Sequence, residues 1–151
     1  MNGEFELAIE RVIRASPQTL WTIWTERTEE WFAPRPWKTR VIEYDLRPGG
    51  RCAITMTGPD GAETPPMEGV FLEVVEHQRI VTTDAFAAGW VPQKPFMVAV
   101  TTFTDLGDGT TLYRAAARHW DADTMAQHEA MGFTTGWGAV ADQLAELAEA
   151  A

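Results

Sequence analysis

Between Lys38 and Trp120 the chain is cut into short runs by turn signals, and this punctuation limits the possible folds more than any other feature. Gly49-Gly50, Asp60-Gly61 and Asp108-Gly109 are hairpin dipeptides that accept a positive φ. The runs they help to bound, "TRVIEYDL", "RCAITMT", "MEGVFLEVVE", "RIVTTDAF", "FMVAVTTFT" and "TTLYRAAARHW", read as strands in antiparallel succession. An earlier run, "FELAIERVIRA", alternates Phe5, Leu7 and Ile9 against charged or small neighbours and brings the count to about seven strands.

Two helical regions flank these strands. In "SPQTLWTIW", Ser16 is a good N-cap, Pro17 occupies the first helical position, and Leu20, Ile23 and Trp24 form a buried face. "TEEWF" continues as a second short helix, which Pro34 and Pro36 stop. At the other end, Met125, Glu129, Phe133, Trp137, Val140, Leu144 and Leu147 keep a three-to-four spacing, predicting one helix from about Asp123 to Glu149. Such a helix would run roughly 40 Å, enough to cross a small sheet. A curved antiparallel sheet wrapped around one long helix is an α+β layer arrangement, here expected as a single domain over residues 1–151.

The tail contains an anomaly. "MGFTTGWGAV" places Gly132, Gly136 and Gly138 in or beside that helix, each costing about 1 kcal/mol relative to alanine. Gly132 and Gly136 share a helix face, with Phe133 and Trp137 one position on. Two readings stand open: the helix packs very close to a strand, or it leaves a gap with aromatic walls.

Composition excludes several roles. With 12 basic and 22 acidic residues the formal charge is −10, a field that repels phosphate backbones and anionic lipid surfaces. Neither nucleic acid nor a membrane is an expected partner. The one cysteine, Cys52, cannot form an internal disulfide and suits a reducing cytoplasm, the expected location. The start "MNGEFELAIE" is not a signal peptide, and no run approaches the roughly 20 apolar residues of a membrane span.

Five segments in order resemble a known family. "RVIRASPQTLWTIWTERTEEWFAP" is similar to the opening motif of domains related to the activator of the ninety-kilodalton heat-shock protein ATPase. "DLRPGGRCAITMTGPDG" resembles that family's Gly-Gly hairpin and "MEGVFLEVVEHQRIVTT" its next hairpin. "GDGTTL" matches the turn before the last strand, and "GFTTGWGAVADQLAELAE" the C-terminal helix. The family belongs to the START-like, or SRPBCC, superfamily, which also contains the birch pollen allergen. The resemblance implies a helix-grip fold, a seven-stranded sheet curled around the C-terminal helix. It also implies a cavity between the two, used across the superfamily for lipids, sterols, polyketides and other apolar ligands. A chaperone partner is implied only by the family's name, because the eukaryotic activator's additional N-terminal domain has no counterpart in this pattern.

Candidate lining residues for that cavity are Trp31, Trp37, Trp90, Trp120 and Trp137, near element ends or on the long helix. Met56, Met67 and Met97 join them, as do Phe71, Phe86, Phe103, Phe133 and the space at Gly136. For each side chain, plain core packing is the competing account, and Trp21 and Trp24 are assigned to packing. Asp84 and Arg114 are the candidate polar cavity groups, with Thr82 and Tyr113 beside them. On a strand Asp84 would share a face with Phe86, and a buried Asp84 would pair with Arg114.

No catalytic residue is assigned. Cys52 alternates in phase with Ile54 and Met56 and reads as a small buried residue. His119, Asp121, Asp123, His128 and Glu129 are metal-ligand types without metal-ligand spacing, and Asp123 reads as an N-cap. His77 reads as solvated. No hydrolase elbow, phosphate loop or dinucleotide fingerprint occurs, so neither a metal nor a cofactor is expected. The leading expectation is a non-enzymatic carrier or sensor of an apolar small molecule. A cyclase, dehydratase or hydrolase using the same cavity and a chaperone-directed module are the alternatives, and a second copy of the chain, as a homodimer, is a candidate partner.

Overall fold

The backbone of the computed structural model is described here for residues 4–151. In chain order the elements are β1 (Glu6–Ile13), α1 (Pro17–Glu26), a 3₁₀ turn (Thr28–Glu30), β2 (Lys38–Tyr44), β3 (Arg51–Thr57), β4 (Met67–Val75) and β5 (Arg79–Thr83). Then come β6 (Phe86–Ala87), β7 (Val91–Pro92), β8 (Val98–Asp105), β9 (Thr111–Arg118), α2 (Ala122–Ala130) and α3 (Phe133–Ala150). Seven strands form one antiparallel sheet in the order β1-β9-β8-β5-β4-β3-β2, curled around α3, while β6 and β7 make a separate hairpin. This is the helix-grip α+β fold expected above. Register shifts between Val41 and Glu43 and between Phe71 and Glu73 place bulges in β2 and β4. Such bulges increase local twist and help a sheet to curl.

Local chemistry explains the elements. The Ser16 hydroxyl accepts from the Thr19 N–H at 3.1 Å, and Pro17 opens α1. Leu20, Trp21, Ile23 and Trp24 then bury one face of the helix. In the turn before β3, a Cβ on Gly50 would lie 1.9 Å from the Asp45 carbonyl oxygen, so only glycine fits. The glycine pair also extends the sheet, with Gly49 N–H donating to Phe71 O at 2.7 Å and Phe71 N–H to Gly50 O at 2.9 Å.

The expected single C-terminal helix is two. Gly132 adopts φ +93°, ends the run from α2 and stands at the N-cap of α3. That left-handed backbone is nearly free for glycine and strained for other residues. The cap of α2 is Asp121, whose carboxylate accepts from Thr124 N–H at 2.7 Å, not Asp123 as the sequence suggested.

The core lies between α1, α3 and the concave face of the sheet. Trp21, Trp24, Trp31, Phe71, Phe103, Tyr113, Phe133 and Leu144 are among its buried members. Buried Trp ring nitrogens find acceptors: Trp24 Nε1 donates to Tyr113 Oη and Trp31 Nε1 to Ile23 O, both at 3.3 Å. Gln143 ties α3 to the segment before β2. Its Nε2 donates to the Trp31 and Ala33 carbonyls at 2.8 Å each, and its Oε1 accepts from Arg35 N–H at 3.0 Å. Among the described residues no helix is long and apolar enough to cross a membrane.

Candidate functional site: a trough beside the N-terminal half of α3

Strand alternation and pairing decide which side chains face α3. Phe103, Tyr113, Ile80 and Phe71 belong to the core. Continuing in steps of two or across the ladder, Thr101, Ala99, Ala117, Thr82, Gly69, Cys52, Ile54 and Met56 share their face. The two ends of this concave face differ. Beneath α1 it is filled by Trp and Phe rings and closed. Toward the start of α3, Met56, Thr82, Met97 and Ala99 remain half-buried and Met67 is exposed, although all lie on the side that faces the helix. Small residues cannot reach α3, and the methionines leave their surface accessible. These small residues and accessible methionines make this end of the concave face, the trough, the candidate ligand site.

The facing wall comes from α3. Phe133 is buried, while Trp137 and Val140 pack against the core yet stay half-exposed. Phe133 and Trp137 stack at a tilt with ring centroids 4.5 Å apart. Gly136 lies four residues before Val140 and seven before the inward Gln143, so it shares their side of the helix. A Cβ built there meets no heavy atom within 4 Å. Gly138 differs, since its Cβ would approach Arg11 Nη2 of β1 at 2.9 Å. The two glycines thus differ: Gly138 is crowded by a β1 side chain, and Gly136 has open space beside it.

Polar groups near the trough are few. Burial pushes the Cys52 thiol up to about 12 and raises the Tyr44 phenol well above its ordinary value, yet both side chains keep accessible surface. The raised value leaves little of the thiolate, the nucleophilic form, at neutral pH. Thr39 pairs with Met56 in the ladder, and its buried hydroxyl has no partner among the described residues. At the helical end stand two histidines the sequence did not bring together. His119 Nε2 is 2.8 Å from His128 Nδ1, and His119 Nδ1 is 2.9 Å from the Phe5 carbonyl.

The expected lining residues divide. Trp137, Gly136, Met56, Met67 and Met97 keep accessible surface at the end where α3 begins, whereas Phe133, 2% exposed, is packed into the core beside Trp137. Trp31, Phe71 and Phe103 are sealed in the packed half, between 0% and 4% exposed. Phe86 and Trp90 lie on the β6–β7 hairpin, where the Trp90 ring packs over Gly49, away from α3. Trp37 packs over Gly58 and Trp120 is 53% exposed after β9.

Asp84 and Arg114 do not pair. β5 ends at Thr83, so Asp84 leaves the strand and accepts from the Phe96 and Met97 N–H groups at 2.9 and 3.2 Å. Arg114 points to the convex face, because β9 alternation opposes it to the inward Tyr113, and binds Glu6 at 2.6 Å. Tyr113 is engaged with Trp24. His77, expected to be solvated, is half-buried and sits edge-on to Trp21 at 6.0 Å. No group of three or more metal-ligand side chains stands together among the described residues. Two surface grooves, of about 560 and 300 Å³, lie elsewhere, one beside His77 and Phe103 and the other beside Thr25–Glu30. Both are bordered mainly by polar and charged residues.

Comparison with known proteins follows the fold. The family model described as "Activator of Hsp90 ATPase homolog 1-like protein" matches residues 14–149. A solved protein from Nitrosomonas europaea is 36% identical, with 97% of this chain and 96% of that chain covered and a TM-score of 0.87. One from Mycobacterium smegmatis is 26% identical, covers 95% and 90%, and has a TM-score of 0.78. An AHSA1-like protein from Aeromonas hydrophila is 22% identical over 96% and 92% of the chains with a TM-score of 0.72, a likeness of fold alone. No curated protein matches.

Proposed function

The chain belongs to the family of Activator of Hsp90 ATPase homolog 1-like proteins, and from that premise we propose that it binds an apolar or aromatic small molecule in the trough beside α3. The observation that carries this reading is Gly136, a half-buried helix position on the side of Val140 and Gln143, whose missing side chain leaves open space. A helix gives up about 1 kcal/mol for such a glycine, and no close backbone contact there accounts for it. The neighbouring surface is right for the purpose: the half-exposed Trp137 ring, backed by the buried Phe133, at the end that carries adaptable methionines and small residues. A carrier or sensor role is favoured over catalysis, because Asp84 and Arg114 are each committed to other partners.

The test is the Gly136→Leu variant, titrated with N-phenyl-1-naphthylamine and melted thermally beside wild type. The leucine should fill the open space, keep or raise stability by up to about 1 kcal/mol, and abolish the dye's fluorescence rise. Lower stability by roughly 1–3 kcal/mol with dye binding intact would mean overpacking, and would overturn the reading.

A further inference from the structure

The His119–His128 pair fixes where its hydrogens are. A carbonyl oxygen only accepts, so His119 Nδ1, 2.9 Å from Phe5 O, carries hydrogen. Neutral His119 then has a bare Nε2, and His128 Nδ1, 2.8 Å away, must donate to it. This leaves His128 Nε2 as a bare acceptor. It makes no hydrogen bond among the described residues, yet is not one of the sealed polar atoms left without a partner, which are Thr39 Oγ1 and Thr55 Oγ1. The residue as a whole is 7% exposed.

Its surroundings are aromatic. The His128 ring meets Phe96 at 4.9 Å, Phe133 at 5.1 Å and Trp137 at 5.7 Å, all edge to face. Trp137 is the half-exposed ring at the trough, and Phe133 is buried beside it. Desolvation lowers the affinity of His128 for a second proton, with His119 adding to the effect, so the neutral acceptor prevails at neutral pH.

Resting on the binding reading above, we propose that the trough's ligand is an aromatic molecule bearing a hydrogen-bond donor, a phenol-type hydroxyl, which donates to His128 Nε2. An apolar ligand covering this nitrogen strips its water and returns nothing, whereas a hydroxyl replaces the lost bond. The proposal gives the histidine pair a purpose. His119 anchors to the Phe5 backbone and holds His128 in the one tautomer that presents an acceptor, making it a specificity determinant rather than a catalyst.

The experiment compares 2-naphthol with 2-methoxynaphthalene as displacers of N-phenyl-1-naphthylamine. The ether is more apolar, so burial alone favours it, whereas a waiting acceptor reverses the order. Wild type should bind the naphthol about 10-fold more tightly. His128→Phe should lose that preference while still binding the ether, and His128→Gln, which retains an acceptor, should keep part of it. Equal affinities in wild type, or a preference surviving in His128→Phe, would overturn the inference and leave the binding reading standing. If His128→Phe does not fold, the wild-type comparison alone decides. Displacement by neither compound would overturn the binding reading itself.

Discussion

Replacing Gln143 by methionine should cost more than any surface change on α3. Gln143 is 7% exposed, and its amide makes three hydrogen bonds to the 31–35 segment. Methionine matches its length and removes all three. Each bond contributes about 1 kcal/mol net, and an orphaned buried carbonyl costs about 1–3. Trp31 and Ala33 are buried, so their carbonyls cannot all turn to water. Against this, the thioether adds apolar contact worth roughly 1 kcal/mol. The balance is a loss of about 3 kcal/mol, a large part of the 5–15 typical of a domain. With a urea m-value of about 2 kcal/mol/M, the midpoint should fall by about 1.5 M at unchanged slope. Tryptophan fluorescence is the natural probe, because Trp31 lies in the segment released. A midpoint within 0.2 M of wild type, equivalent to under about 0.5 kcal/mol, would refute the idea that α3 holds this segment through Gln143.

Two further outcomes follow from the same geometry. Gly50→Ala should destabilise by more than about 3 kcal/mol in a thermal melt, since its Cβ would overlap the Asp45 carbonyl, and a mild effect would mean that the turn rearranges freely. Stability should also fall with acid in two stages. His128, whose folded-state affinity for protons is depressed by burial, contributes fully above about pH 6.5 and loses that contribution as pH falls below it. Glu68, held below the usual carboxylate range by hydrogen bonding from Arg51, contributes above about pH 4.5 and loses it in stronger acid. His128→Phe should flatten the upper stage, and an unchanged melting profile between pH 7 and 5 in that variant would assign the stage to other groups.

The sheet was legible because its signals are local. Alternation and glycine turns act over a few residues, and Ser16-Pro17 caps α1 without distant help. What escaped depends on partners far along the chain. Gln143 looked like one more polar residue on an amphipathic helix, since its partners are backbone carbonyls 110 and 112 residues away. Asp84 was matched to a charged side chain, when backbone N–H groups beyond the β6–β7 hairpin satisfy it. His119 and His128 are nine residues apart, a spacing that suits no helix face, and meet only because β9 ends where α2 turns back. The break at Gly132 escaped because the apolar spacing runs straight through it. Periodicity counts residues and is blind to a single left-handed backbone.

The three glycines of the tail show why such a penalty can persist. Taken together as helix residues they would cost roughly 3 kcal/mol. Gly132 incurs little of that, because at φ +93° it stands outside the helical backbone, where glycine is the favoured residue. Gly138 is offset by packing: without a Cβ, the Arg11 guanidinium can lie close to the helix while its Nε bonds Asp142 at 2.8 Å. Only Gly136 has no structural return, for it neither turns the chain nor admits a neighbour. Glycine at 136 is costly in a helix, half-buried and has open space beside it, which is what the proposed ligand site requires. That is the argument for looking there first for a ligand, and it predicts that among these glycines only the substitution at 136 will separate binding from folding.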